Sequence, residues 1–170
     1  MRCLLGFFLP ILSHCSTSGP VRAETAFLDT DPGAGKATAV VFLSPDCPCS
    51  RSHEVGLKEL ADKHPEIRFI GVYSGHRVEN AKKYFSTVRL PFPMTYDDNY
   101  QIADEFGALK TPHVFVVGKD RKFLFQGGVD DSHDATRATK FFLASALDAI
   151  GKGQNPNPSE VRTLGCYIRQ

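Results

Sequence analysis

The stretch that decides the fold is FLSPDCPCS, residues Phe42–Ser50. The apolar run Ala39–Leu43 predicts a buried strand that ends in this turn, and Ser50–His64 predicts the helix that follows. At such a junction the backbone N–H groups of the first helical turn point at Cys47, and their partial positive charge favours thiolate over thiol. Pro48 suits the first helical position, where a missing N–H costs nothing. The junction therefore predicts a nucleophilic sulfur.

The two thiols of this turn, Cys47 and Cys49, are spaced C-x-C. Three interpretations remain open from the residues alone: redox chemistry, a metal-binding pair, or a structural role in the core. A bridge between them would close a small, strained ring, and strained disulfides are the easily reduced ones. The spacing favours redox chemistry over the other two.

Length and charge exclude several classes of protein. The 170 residues suffice for one domain with a sizeable hydrophobic core. Because 20 Lys and Arg nearly balance 19 Asp and Glu, the net charge is +1. That balance predicts no nucleic-acid or other polyanionic partner.

Residues 1–23 read as a signal peptide. The apolar run Leu4–Leu12 is too short to span a bilayer and suits the core of an export signal. We favour cleavage after Ala23, because Val21–Ala23 is a small-residue site. Alternatively, Leu12–Cys15 resembles a bacterial lipobox, which would make Cys15 a lipid anchor. Either ending predicts an exported protein, periplasmic or membrane-anchored on the periplasmic side, where disulfides persist.

The rest of the chain alternates strands and helices. The predicted strands are Ala26–Leu28, Ala37–Leu43, Ile67–Tyr73, Met94–Tyr96, His113–Val117 and Phe123–Gln126, and the predicted helices are Ser50–His64, Val78–Val88, Tyr100–Phe106 and Asp134–Ile150. This order predicts an α/β domain over residues 24–151, with a central mixed sheet covered by helices on both faces. Residues 152–170 form a linker-like tail that carries Cys166.

Several segments together resemble the thioredoxin fold, and more narrowly the bacterial redoxins of the AhpC/TSA and TlpA/ResA-like group. They are Asp46–Pro48, Gly71–Ser74, Leu90–Pro93, Thr111–Val116, Phe125–Asp131 and Thr163–Ile168. The resemblance implies a cis-proline at Pro112 that faces the thiols, and a substrate groove shaped by Thr111 and Pro112. It also implies that the chemistry needs no cofactor and that the terminal Gly165-Cys166 pair takes part.

The chain departs from the family pattern at four positions. Ser50 stands where thioredoxins have their second Cys, and Asp46 stands where a Trp often precedes the first one. The charge of Asp46 is expected to oppose thiolate formation. Val41 replaces the buried acid of many thioredoxins, so proton transfer must follow another route. Val40 replaces the proline of the peroxiredoxin motif, which argues against peroxidase activity.

These observations predict an exported thiol–disulfide oxidoreductase. The Cys47 thiolate attacks a disulfide in a partner protein, and a second thiol resolves the mixed disulfide. The tail is long enough for Cys166 to reach the Cys47 loop, so we expect Cys166 to resolve that disulfide or to pair with Cys47 or Cys49. One alternative is a peroxidase, in which Cys47 attacks peroxide. The other is a copper-binding or metallochaperone module that uses Cys47 and Cys49, with His53 or His113 as a further ligand.

The remaining titratable residues are interpreted as follows. His53 shares a helix face with Cys49 and is expected to be solvated. His113 either lies near the thiols or points outward from its strand. His76 and His133 are expected on surface loops. Asp130-Asp131 is expected to cap a turn and the following helix rather than to bind a cation.

Overall fold

The computed structural model of the protein describes Leu28 and residues 35–169. Its strands are β1 (Ala37–Phe42), β2 (Ile67–Ser74), β3 (Met94–Asp97), β4 (Lys110–Thr111), β5 (His113–Gly118), β6 (Phe123–Gly127) and β7 (Cys166–Tyr167). Its helices are α1 (Pro48–Lys63), α2 (Val78–Val88), α3 (Gln101–Phe106) and α4 (Phe142–Gly151), with a 3-10 turn at Ala135–Arg137. The proposed signal peptide, its cleavage site and Cys15 lie outside the described residues, as do Ala26 and Phe27 of the first predicted strand.

The strands form a five-stranded sheet in the order β3-β2-β1-β5-β6, and β4 pairs with β7 in a separate two-stranded ribbon. Strand β1 runs parallel to β2 and antiparallel to β5. The mixed sheet predicted from the sequence is therefore confirmed. Strand β1 is the central strand of the sheet. The turn that carries the two thiols therefore follows the C-terminal end of the central strand.

The core lies on both faces of the sheet, as the sequence predicts. Val40 and Phe42 of β1 pack on one face with residues of α3, including Phe106. Val41 and Leu43 pack on the other face, where α1, α2 and α4 contribute their apolar sides. This alternation along β1 fixes the position of the strand end, and with it the position of Cys47. Among the described residues, no helix has both the length and the apolarity needed to cross a membrane.

The predicted helix Asp134–Ile150 is wrong in its first half, because α4 begins only at Phe142. The carboxylate of Asp131 accepts hydrogen bonds from the backbone N–H groups of Thr139 (2.8 Å) and Lys140 (3.0 Å). Asp134 accepts another from the N–H of Thr136 at 3.0 Å. These side-chain contacts compete with helical hydrogen bonds and hold the segment as a loop.

The tail returns to the sheet instead of extending away from it as a linker. Near its middle, the N–H of Val161 donates to the carbonyl of Gln126 at 3.0 Å. Near its end, β7 pairs antiparallel with β4, with Cys166 opposite Thr111. The expectation that Cys166 can reach the Cys47 loop therefore agrees with the fold.

Candidate active site

Cys47 lies at the N-cap of α1, at the end of the central strand. The backbone N–H of Ser50 donates to its sulfur at 3.4 Å, so the helix end holds the side chain in place. In its neutral form the Cys47 thiol donates to the carbonyl of Thr111 at 3.0 Å. Only 1% of Cys47 is exposed, which makes it the most buried of the three described thiols.

The sulfurs of Cys47, Cys49 and Cys166 all lie within 4.8 Å of one another. We call these three residues the thiol triad. Cys47 is the N-cap of α1 and Cys49 lies in its first turn, whereas Cys166 comes from β7 near the other end of the chain. The residue before it must be glycine, because a Cβ at Gly165 would overlap the carbonyl oxygen of Thr111 and its φ is +148°. This close approach places Cys166 against Cys47.

The three thiols differ in acidity. Burial alone would raise the pKa of Cys47, but hydrogen bonds from the side chains of Cys166 and Thr111 and from the N–H of Ser50 outweigh it and lower that pKa to about 7. Burial, and then repulsion from the Cys47 thiolate, raises the pKa of Cys49. Burial, followed by the hydrogen bond and repulsion from Cys47, raises the pKa of Cys166 to about 12. Among these thiols, Cys47 ionises first.

The pKa of Cys47 falls even though Asp46 precedes it. The Asp46 carboxylate is exposed and lies 3.4 Å from the guanidinium of Arg77. An exposed and neutralised carboxylate affects a neighbouring thiol little. Val40 and Val41, which replace the family's proline and acid, are both fully buried in the core.

The prediction of a solvated His53 is wrong, because only 2% of this residue is exposed. Its Nδ1 donates to the carbonyl of Cys49 at 2.7 Å, and its Nε2 lies 3.0 Å from Asp130 Oδ2. Both ring nitrogens therefore face oxygen atoms of neighbouring residues. The other oxygen of Asp130 accepts the N–H of Ser132 at 2.8 Å. The turn role expected for Asp130 is thus combined with a buried contact to His53.

His133 is exposed, as predicted, yet its Nδ1 lies 3.4 Å from the sulfur of Cys49. His53 contacts the carbonyl of Cys49 and His133 contacts its sulfur, so both histidines lie next to Cys49. No signal in the sequence could have found this contact, because 84 positions separate its partners. His53 and Asp130 are 77 positions apart, so the sequence could not indicate their contact either.

His113 is not a member of the thiol cluster. Its ring packs on that of Phe115, with centroids 4.3 Å apart. Burial, and then the charge of Lys110, lowers the pKa of His113 to about 4, so the ring is neutral at physiological pH. Among the described residues, the cluster of possible metal-ligating atoms at this site consists of the three sulfurs of the thiol triad. Neither His113 nor His53 belongs to it.

The Thr111–Pro112 peptide bond is cis, as the sequence predicts. Beside it lies a cavity of about 230 Å³ lined by both Cys47 and Cys166. Thr111, Tyr73, His76 and Arg77 also line this cavity. Of the two residues predicted to shape a substrate groove, Thr111 thus lies at the thiols, and Pro112 follows it across the cis bond.

Comparison with known proteins agrees with this architecture. A family model described as thioredoxin-like matches residues 35–123, more than half of the chain. No curated protein matches the chain. An uncharacterised conserved protein from Geobacillus kaustophilus is 26% identical, with a TM-score of 0.72 over 79% of this chain and 77% of its own.

Two further solved structures share the fold. A hypothetical protein from Sinorhizobium meliloti is 22% identical, with a TM-score of 0.72 over 80% of each chain. A secreted disulfide oxidoreductase from Mycobacterium tuberculosis is 18% identical, with a TM-score of 0.51 over 70% of this chain and 82% of its own. The resemblance to thioredoxin-fold redoxins is therefore confirmed at the level of family and fold.

Proposed function

The chain belongs to the thioredoxin-like family, and we propose that it is an exported thiol–disulfide oxidoreductase of the TlpA/ResA-like type. The family and the fold support thiol–disulfide exchange as the class of reaction. The observation that carries the proposal is the lowered pKa of the Cys47 thiol, which lies at the N-cap of α1 with its sulfur within 4.8 Å of that of Cys166. A structural cysteine in the core would need neither the lowered pKa nor a second thiol at that distance.

In the first step the Cys47 thiolate attacks one sulfur of a disulfide in the substrate protein. The new S–S bond joins Cys47 to that sulfur, and the other substrate sulfur leaves as a thiolate that takes a proton from water. The lowered pKa of Cys47 makes about half of it thiolate near pH 7. The reaction needs no bound cofactor, because both electrons come from the thiols.

In the second step Cys166 attacks Cys47 in the mixed disulfide. A Cys47–Cys166 bond forms, the second substrate sulfur leaves as a thiol, and the protein is oxidised while the substrate is reduced. The pKa of Cys166 is raised by burial and then by the neighbouring Cys47 sulfur and its charge. That charge disappears once Cys47 is bonded to the substrate, so Cys166 becomes easier to ionise at the step that requires it. Cys49 is the poorer partner, because a C-x-C bridge is strained.

The substrate we propose is a protein disulfide or thiol outside the cytosol. Its chain would bind along Thr111 and Pro112, where the cavity opens onto Cys47. The similar mycobacterial protein is a secreted disulfide oxidoreductase, which supports export of this one. Residues 1–23 supply the proposed export signal. It is processed either by cleavage after Ala23 or by lipidation at Cys15.

The proposal is tested by the reduction of a disulfide-containing peptide with matched single-thiol variants. We expect Cys47→Ser to lower the rate by about 10³-fold or more, as loss of a nucleophile does. Cys166→Ser should accumulate a mixed disulfide between Cys47 and the peptide, whereas the control Cys49→Ser should not. Full turnover by Cys166→Ser, with accumulation in Cys49→Ser, would contradict the assigned roles.

In the peroxidase alternative the sulfur of Cys47 attacks hydrogen peroxide instead of a substrate disulfide. No described feature of the site favours this reaction. In that reaction the Cys47 thiolate would displace water from hydrogen peroxide and become a sulfenic acid. The two reactions are separated by comparing the oxidation of reduced protein by peptide disulfide and by peroxide at equal concentrations. We expect the disulfide to react faster, and a faster reaction with peroxide would support the alternative.

A further inference from the structure

We propose that the reduced thiol triad binds one Cu(I) ion through the sulfurs of Cys47, Cys49 and Cys166. The sequence alone suggested copper only through Cys47 and Cys49, with a histidine as the additional ligand. The structure replaces that histidine with a third sulfur. The site differs from the redox role of the same residues, because it requires all three thiols reduced and transfers no electrons.

The spacing of the sulfurs suits a common metal ion. Metal–thiolate bonds are about 2.3 Å long, so three sulfurs in a plane around one ion are about 4 Å apart. The triad sulfurs already lie within 4.8 Å of one another. Rotamer adjustments of less than about 1 Å would therefore complete the site, without movement of the strands that carry it.

The kind and number of ligands favour Cu(I) over other ions. All three donors are sulfurs, and soft thiolates select Cu(I) and zinc over magnesium or calcium. Structural zinc sites have four protein ligands. Within the described part of the chain, no histidine or carboxylate atom joins the group that lies within 4.8 Å of all three sulfurs. Three sulfurs without a fourth protein donor cannot form a closed structural zinc site, whereas they suit three-coordinate Cu(I).

The scaffold holds these sulfurs in place before any ion binds. Cys47 is fixed by the N–H of Ser50, and Cys166 by the pairing of β7 with β4. Both Cys49 and Cys166 are partly exposed, which gives an ion a route from solvent, whereas Cys47 is buried. Ligands fixed in advance lose less entropy on binding, so affinity gains from this arrangement.

The test uses the full-length chain with Cys3→Ser and Cys15→Ser, so that only triad thiols remain. The anaerobic, reduced protein is titrated with Cu(I) in competition with bathocuproine disulfonate. We expect one Cu(I) per chain, and X-ray absorption should show three sulfur neighbours at about 2.3 Å. Each further single change, Cys47→Ser, Cys49→Ser or Cys166→Ser, should weaken Cu(I) binding by more than about 100-fold, the upper range for loss of a supporting residue.

Several results would overturn the proposal. The first is that the three-thiol protein fails to retain Cu(I), and the second is that Cys166→Ser binds Cu(I) with equal affinity. The third is an X-ray absorption spectrum with two sulfur neighbours and one nitrogen neighbour, which would place His133 in the site. The spectrum of the three-thiol protein decides the matter even where a variant fails to fold. Disulfide exchange does not depend on the ion, so loss of copper binding leaves the proposed oxidoreductase activity standing.

Discussion

Cys47 is a residue on which burial and hydrogen bonding act in opposite directions. Burial disfavours its charged form, whereas hydrogen bonds from the side chains of Cys166 and Thr111 and from the N–H of Ser50 favour that form and outweigh burial. The sequence indicated the helix N-terminus that supplies one of these contacts. Thr111 and Cys166 are far from Cys47 in the chain, so the sequence placed them near it only through the family resemblance and, for Cys166, the reach of the tail.

Alkylation of the reduced protein with limiting iodoacetamide should label Cys47 first. A group whose pKa is lowered to about 7 gains thiolate as the pH rises through 7, so its rate should rise about tenfold from pH 5 to pH 6 and level off above pH 8. Cys49, whose pKa is raised, should remain nearly unlabelled over this range. The measurement is peptide mass spectrometry at each pH, and preferential labelling of Cys49 would remove Cys47 as the nucleophile.

The buried pair of His53 and Asp130 should stabilise the fold. Replacement of Asp130 by Ala leaves the buried imidazole without this hydrogen-bond partner, and a buried polar group left unsatisfied costs about 1–3 kcal/mol. Urea unfolding should show the corresponding fall in the midpoint with an unchanged slope. Asp120→Ala is the matched control, since its exposed pair with Lys122 should leave the midpoint nearly unaltered. Equal midpoints for the two variants would show that the buried pair contributes no stability.

At the scale of elements, the strength of each local pattern decides how well the sequence predicts it. Helix α2, with its regular apolar face, has the predicted bounds Val78–Val88. The predicted helix at Asp134 fails because Asp131 and Asp134 bind loop N–H groups. The two-residue strands β4 and β7 are too short to carry any periodicity, although their pairing positions the second thiol.

The ribbon formed by β4 and β7 should control how fast Cys47 and Cys166 bond. In Gly165→Ala the new methyl group would overlap the carbonyl of Thr111 and displace Cys166. Overpacking of this kind costs about 1–3 kcal/mol, which corresponds to about a 5- to 150-fold slower closure of the disulfide. The rate is measured by quenching with acid after addition of a small disulfide oxidant.

The matched control for this change is Gly56→Ala. A Cβ at Gly56 meets nothing within 4 Å, and its position inside α1 favours alanine. Closure of the disulfide should therefore proceed at the unmodified rate in that variant. If Gly165→Ala also closed at that rate, the ribbon would not be what positions Cys166.

At the scale of the whole molecule, the alternation of strands and helices was enough to predict the mixed sheet and its two covered faces. A strand can be predicted from a few neighbouring residues, whereas a site depends on which distant segments meet. Cys47, Cys49, Thr111 and Pro112 are site residues that the sequence predicts, and the structure brings Cys47, Cys49 and Thr111 together. The sequence predicted the contact with Cys166 from the family resemblance and the reach of the tail, and it did not indicate the buried contact between His53 and Asp130.

Oxidation should stabilise the whole protein if the bond joins Cys47 to Cys166. That bond closes a loop of roughly 120 residues, and restriction of the unfolded chain by such a loop contributes up to about 4–5 kcal/mol. A bond between Cys47 and Cys49 would close only a three-residue ring and contribute far less. We expect the oxidised protein to unfold at a higher urea concentration than the reduced protein, and the difference to vanish in Cys166→Ser but to persist in Cys49→Ser.

The central claim is that Cys47 and Cys166 form the redox-active pair of a thiol–disulfide oxidoreductase. Its most direct test is disulfide mapping of the oxidised full-length chain, by mass spectrometry under non-reducing conditions after rapid alkylation. We predict a pair of peptides joined by a disulfide between Cys47 and Cys166, with Cys49 alkylated. This disulfide-linked pair should disappear in an anaerobic titration with dithiothreitol. A Cys47–Cys49 bond alone, with Cys166 fully alkylated at every potential, would contradict the claim.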